Sequence, residues 1–170
     1  NRISSIEGLK NFSSIEELDI MNNRSLMNLT GLENHSTIKY LIAQNTAIEN
    51  IDGLTGCNNI ESAIFNTSNI KSINGLASEK LNVLDVKNSK IMDIESLTQS
   101  KNLTYLQLEN NKDLSKIDSI KVCSKINNLY LGGNTALDET VLSSVEFQNI
   151  IKQCGTNYSL DGKYGLLFLN

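Results

Sequence analysis

One histidine, three cysteines and nineteen carboxylates are the groups in this chain best suited to proton transfer, nucleophilic attack or metal binding. A Cys/His or Ser/His/Asp relay has to use His35, the one imidazole, and such a relay needs its partners clustered around the base. No Cys-x-x-Cys pair and no His/Cys cluster occurs, so a structural zinc site has nothing to be built from. Cys57, Cys123 and Cys154 make an odd count and do not read as a disulfide framework. Gly132-Gly133 lacks the Lys-Thr that completes a phosphate cradle. Asn-x-Ser/Thr triplets such as Asn28-Leu29-Thr30 and Asn66-Thr67-Ser68 arise by chance in a chain this rich in Asn and Ser. Hydrolysis by paired carboxylates, or calcium binding, requires acids converging in a pocket or a dense oxygen cluster. Glu17, Asp19, Asp85 and Glu109 come from separate stretches of the chain apart from the first two, and a repeating architecture brings them to one surface only spread over several turns. The expectation is no enzyme, no cofactor and no metal.

Length and charge narrow the partner. With 170 residues and a hydrophobic fraction of 39%, the chain can bury one real core. A net charge of −4 and a pI near 5.0, with no run of Lys or Arg, give no electrostatic footprint for nucleic acid or an anionic membrane. No apolar stretch approaches the ~18–20 residues that span a bilayer. The opening Asn1-Arg2-Ile3-Ser4-Ser5 does not resemble a signal peptide, and the start without Met reads as a processed product or an excised domain. Usage skewed toward Asn, Ile, Lys and Ser, with no Pro or Trp, is what AT-rich codons favour and points to a low-GC bacterium.

What positions these residues is a repeat, and self-similarity must be read before local structure. Six segments share one phase: Ile15-x-x-Leu18-x-Ile20, Ile38-x-x-Leu41-x-Ala43, Ile60-x-x-Ala63-x-Phe65, Leu81-x-x-Leu84-x-Val86, Leu103-x-x-Leu106-x-Leu108 and Ile126-x-x-Leu129-x-Leu131. Their lead residues are 23, 22, 21, 22 and 23 apart. After each comes a small polar residue: Asn23, Thr46, Ser68, Ser89, Asn111 and Asn134. This ladder is expected to hydrogen-bond backbone groups freed where the strand turns, in its own coil and the next. An apolar residue then closes the turn (Leu26, Ile48, Ile70, Ile91, Leu114, Leu137), one position later in the Asn repeats than in the Ser and Thr repeats. The second half of each coil runs in threes, as in Ile48, Ile51, Leu54, Cys57 and Ile60, which fits a 3₁₀ or irregular return better than an α-helix. Glycines recur in Ile6-Glu7-Gly8-Leu9, Ile51-Asp52-Gly53-Leu54 and Ile73-Asn74-Gly75-Leu76, where they are expected to permit a turn that a Cβ opposes.

These motifs, from about Ile3 to Leu137, resemble the leucine-rich repeats of about 22 residues found in bacterial internalins and in the protein-phosphatase regulatory subunit class. The resemblance implies an α/β fold: a right-handed solenoid, or horseshoe, with a parallel sheet on its concave face and short 3₁₀ or irregular convex segments. It also implies a non-catalytic module for recognising proteins. Ala43, Ala63 and Cys57 depart from the larger aliphatics of the pattern, and half of the ladder is Ser or Thr.

Alternation along a strand turns 18 and 20 inward and 17, 19 and 21 outward, and stacking places equivalent residues about 4.8 Å apart in columns. The first column reads Glu17, Tyr40, Ser62, Val83, Tyr105, Asn128, and the second Asp19, Ile42, Ile64, Asp85, Gln107, Tyr130. Met21, Gln44, Asn66, Lys87, Glu109 and Gly132 form the third, while Glu16, Lys39 and Glu61 alternate in charge beside the first. Tyr40, Ile42, Ile64, Val83, Tyr105 and Tyr130 are the candidate partner-binding residues: contiguous exposed apolar surface marks contacts, and Tyr is a favoured anchor. The same residue types also simply stabilise strands. Cys57 and Cys123 fall in equivalent inward positions three coils apart, about 14 Å, and cannot pair. His35 falls on the convex return, read as a surface-loop histidine.

Residues 1–137 are read as the solenoid of about six repeats and 138–170 as its C-terminal cap within the same domain. The first coil enters in mid-repeat with no cap before Ile3, so further chain is expected to precede it. At the other end Thr135-x-x-Asp138 is expected to start a lid helix through Val141, Leu142, Val145, Ile150 and Ile151 to a Gly155 stop. Leu160-Asp161-Gly162-Lys163 resembles a hairpin turn, followed by a strand from Tyr164 to Leu169. The functional expectation is a protein or peptide ligand held on the concave face of a bacterial cell-surface or secreted module, internalin-like. Two others stay open: an intracellular scaffold or enzyme-regulatory subunit, toward which the unpaired cysteines lean, and a structural spacer.

Overall fold

The computed structural model describes residues 2–155 and 158–160, which leaves the expected hairpin turn and the Tyr164–Leu169 strand outside the described residues. Each L-x-x-L-x-L segment yields a three-residue strand: β1 (Glu17–Asp19), β2 (Tyr40–Ile42), β3 (Ser62–Ile64), β4 (Val83–Asp85), β5 (Tyr105–Gln107) and β6 (Asn128–Tyr130). They pair in sequence order, all parallel, and Tyr158–Ser159 adds β7 beside β6. Glu17, Tyr40, Ser62, Val83, Tyr105 and Asn128 face one another in the register that the periodicity predicts. An αL residue stands three positions after the last residue of each of these six strands. The position before the ladder takes a positive φ in every coil: Asn22, Asn45, Thr67, Asn88, Asn110 and Gly133, at φ of 53° to 80°.

Behind the sheet the aliphatics stack in files. Leu41, Ala63, Leu84, Leu106 and Leu129 are fully buried, as are Ile38, Ile60, Leu81, Leu103 and Ile126, whereas Leu18 and Ile15 of the first coil are half-buried. The period of three produces short 3₁₀ helices at Glu7–Asn11, Asp52–Leu54, Glu95–Gln99 and Asp118–Val122.

The polar ladder is a bonding spine. Asn111 Nδ2 donates to Leu108 O (2.7 Å) and Val86 O (3.0 Å), and its Oδ1 accepts from Ile91 N (3.0 Å). Asn23 Oδ1 likewise accepts from Ile3 N (3.1 Å), and Asn134 Oδ1 from Asn111 N (2.7 Å). The cross-coil bonds run to the preceding coil, not the next, because the amides left free by the preceding turn lie there. Thr46 and the bonded Ser68 and Ser89 are shorter; Thr46 reaches only Ala43 O of its own coil. The extra residue in the Asn repeats closes a turn on itself, Leu26 N to Asn23 O and Leu114 N to Asn111 O, where the short coils bond their neighbour instead, Asn69 N to Ile48 O and Lys90 N to Ile70 O.

Thr67 is the β-branched member of the αL column (φ 59°) and is exposed. Asn tolerates that region far better than a β-branched residue. Thr67→Asn is therefore expected to raise stability by about 1 kcal/mol, read as a higher urea midpoint with an unchanged slope.

At Gly53 and Gly75 the backbone φ is ordinary, which corrects the expected reason for glycine. A Cβ there would lie 2.2 Å from Leu29 O and 2.1 Å from Ile51 O, so close approach of the preceding coil is what excludes a side chain. In the later coils Ser96 and Ser119 occupy this place and donate to the equivalent carbonyls of Ile73 and Ile94.

The single lid helix expected from Thr135 is two helices. Asp138 caps α1 (Glu139–Leu142) by accepting from Thr140 N, and Ser144 caps α2 (Val145–Cys154) by accepting from Phe147 N; Gly155 ends α2 at φ 61°. Two competing N-caps break the run at Ser143–Ser144. Phe147, Ile150, Ile151 and Cys154 are buried on one side of α2, which contacts β6 and the Asp118–Val122 turn.

Candidate docking face

Three side chains per coil leave the sheet on the solvent side, and the structure places all six candidate residues there in adjacent columns. Tyr40 is 43% exposed, and Ile42, Ile64, Val83, Tyr105 and Tyr130 are half-buried. Tyr105 and Tyr130 lie on a diagonal of the sheet with ring centroids 5.6 Å apart and planes tilted by 51°. Cross-strand pairs of this kind contribute roughly 0.2–1 kcal/mol to the sheet. Gln107, expected to point to solvent in the same column, is only 6% exposed. The two aromatic neighbours flank it, an arrangement that depends on rotamers and not on spacing.

Polar contacts fix the surroundings. Tyr40 Oη donates to Glu61 Oε2 (3.2 Å), and Lys39 Nζ meets Glu16 Oε2 at 3.0 Å, so the alternating column forms one ion pair and one tyrosine bond. The Glu16 hydrogen bond, then its charge, raises the Lys39 ammonium above its ordinary value. Asp85 accepts from Asn66 Nδ2 (2.8 Å) and from Lys87 N (3.1 Å). Burial pushes the Tyr105 phenol up, and the negative charge of Asp85 adds to that.

The groups considered for catalysis lie elsewhere. His35 is not a surface-loop residue: it is 7% exposed, Nε2 lies 3.0 Å from Leu9 O, and Nδ1 has no partner. The interval of three from Leu26 through Leu29 and Leu32 to His35 and Ile38 carries that signal in the sequence. It shares its inward place with Cys57, whose Sγ donates to Leu32 O (3.0 Å). Cys57, Cys123 and Cys154 are free and buried, and burial pushes Cys123 and Cys154 up to about 11, so they remain neutral thiols at pH 7. Among the described residues no group of three or more His, Cys, Asp or Glu is arranged to hold a metal ion. An open depression bordered by Asn58, Ala77, Glu79, Lys80 and Gln99 lies on the return segments, away from the sheet. No described helix is long and apolar enough to cross a membrane.

No protein-family model and no curated protein matches the sequence. Solved structures do match. An internalin (inlF) from Listeria monocytogenes superposes with a TM-score of 0.68 at 20% identity over 98% of this chain, which spans 55% of that protein's chain. An internalin C2 (inlC2) from the same organism gives 0.65 at 20% identity over 94% of this chain and 76% of the other. With a parallel open sheet, 3₁₀ returns and a polar ladder in phase with the repeats, this chain is by fold a leucine-rich-repeat solenoid similar to those of the internalins.

Proposed function

We propose that this chain is a non-catalytic protein–protein recognition module that holds a protein or peptide ligand on the solvent side of its sheet, through Tyr40, Ile42, Ile64, Val83, Tyr105 and Tyr130. One observation carries the reading: a contiguous aromatic and aliphatic patch occupies the face of a sheet whose inner strands β2 to β6 are paired on both sides, and the files of buried aliphatics lie behind that sheet. Such a patch marks a contact surface, with Tyr as its anchor.

The test is a displayed random-peptide library selected on the immobilised chain. Replacing Tyr40, Tyr105 and Tyr130 together by Ala is expected to lower the affinity of recovered binders about 100-fold or more. Melting is expected to fall by only a few degrees, because cross-strand contacts alone are lost. Binders that keep their affinity for the triple variant defeat the reading.

We place the module at the bacterial cell surface or outside the cell, which its likeness to the internalin fold supports. An intracellular scaffold or regulatory subunit has one observation on its side, the three unpaired buried thiols. Fractionation of cells producing the full-length gene product separates the two settings.

A further inference from the structure

The tyrosines of the docking face stand among carboxylates. Glu16, Glu17, Asp19, Glu61, Asp85 and Glu109 belong to the strand-side columns, against Lys39 and Lys87. Six acids and two lysines account for the whole net charge of −4, since thirteen acids and thirteen bases remain elsewhere in the chain. Local neutralisation is partial. Lys39 pairs with Glu16, and among the described residues no Lys or Arg nitrogen lies within ion-pair distance of Glu17, Asp19, Glu61 or Asp85.

Asp85 is the acid best placed to act. Asn66 holds one of its oxygens and the Lys87 amide the other, so the carboxylate is oriented in advance and keeps lone pairs for a further donor. Tyr105, on the strand next to Asp85 and within reach of its charge, and Tyr130, one strand further on, are half-buried rings 5.6 Å apart and tilted by 51°. A cation beside aromatic faces and an oriented carboxylate gains from the ring quadrupoles and from charge-assisted hydrogen bonds together. Val83 and Ile64, half-buried on the other flank, suit the aliphatic stem of a long basic side chain.

We infer that the face selects a positively charged partner: an Arg or Lys side chain on an exposed segment of a partner protein sits on Tyr105 and Tyr130 against Asp85, with the neighbouring apolar residues of that segment on Val83 and Ile64. This rests on the docking reading above and adds the chemistry of the ligand. An acidic partner meets Asp85, which no Lys or Arg pairs among the described residues, and this gives discrimination by repulsion as well as attraction.

The test titrates the isotope-labelled chain with two blocked peptides, Ac-Leu-Arg-Leu-Arg-Leu-NH2 and Ac-Leu-Glu-Leu-Glu-Leu-NH2, and follows backbone amide shifts at low and high salt. The Arg peptide is expected to move amides of β4, β5 and β6, to bind about tenfold or more tighter than the Glu peptide, and to weaken as salt rises. Asp85→Asn and Tyr105→Leu are each expected to weaken it about fivefold or more while the Glu peptide's affinity does not fall. Equal binding of both peptides at the sheet overturns the charge preference and leaves the docking reading standing. Shifts confined to the return segments, or no shift with the Arg peptide, also overturn the preference, whereas the docking reading is judged separately by the unbiased selection and the triple tyrosine variant.

Discussion

Asn111→Ala is expected to lower unfolding free energy by about 3–5 kcal/mol, the largest effect of any single polar substitution proposed for this chain. The side chain is fully buried and joins two coils: its amide donates to Leu108 O and Val86 O, and its carbonyl accepts from Ile91 N. Alanine leaves three interior backbone groups without that partner, and each unsatisfied group costs about 1–3 kcal/mol before relaxation. Ser89→Ala provides the contrast. Ser89 is half-buried, its contacts are Ser68 Oγ (3.0 Å) and a long bond to Lys87 O (3.4 Å), and its loss is expected to cost about 1 kcal/mol or less. Urea unfolding of both variants measures the difference. Equal, small losses would mean that the ladder is ornamental to coil stacking.

Gly75→Ala is expected to cost about 2–3 kcal/mol, close to the upper range for forcing a methyl into a packed site. Its Cβ would meet Ile51 O at 2.1 Å and Asp52 Cα at 3.2 Å, and both are backbone, so the two coils have to separate. Gly8 holds the same place in the first coil, where nothing lies within 4 Å. Gly8→Ala is therefore expected to be neutral or to stabilise by about 0.5 kcal/mol through reduced unfolded-state entropy. A pair of thermal melts decides it: a large drop for Gly75→Ala alone supports coil-to-coil contact as the reason for the glycine, and matching behaviour of the two variants refutes it.

Which features the sequence disclosed follows from their physical range. Strand register depends on alternation within a coil and on burying aliphatics in one file, and both are written in residue type; hence Glu17, Tyr40, Ser62, Val83, Tyr105 and Asn128 meet as spacing predicts. The αL column was equally accessible, since Asn stands before the ladder in four coils and Gly in the last, and those residues favour positive φ. His35 shows how a polar residue hides inside an apolar period: Leu26, Leu29 and Leu32 count toward it by threes, yet its polarity suggests a surface. Distances between coils are not written in residue type. The crowding of Gly53 and Gly75 by the preceding coil needed coordinates, and so did the burial of Gln107. The break between α1 and α2 lay in Ser144, a second cap signal inside an apparently continuous apolar pattern. For the docking face, spacing put the six residues on one surface, while the tilt of Tyr105 on Tyr130 and the anchoring of Asp85 are side-chain matters.

The most direct examination of the sheet as the contact surface is an amide footprint of the chain with a peptide recovered from the random library. The proposed docking predicts shifts concentrated in β2 through β6, around Tyr40, Ile42, Ile64, Val83, Tyr105 and Tyr130, with the 3₁₀ turns at Asp52–Leu54, Glu95–Gln99 and Asp118–Val122 unmoved. A footprint on those turns with silent strands would contradict it.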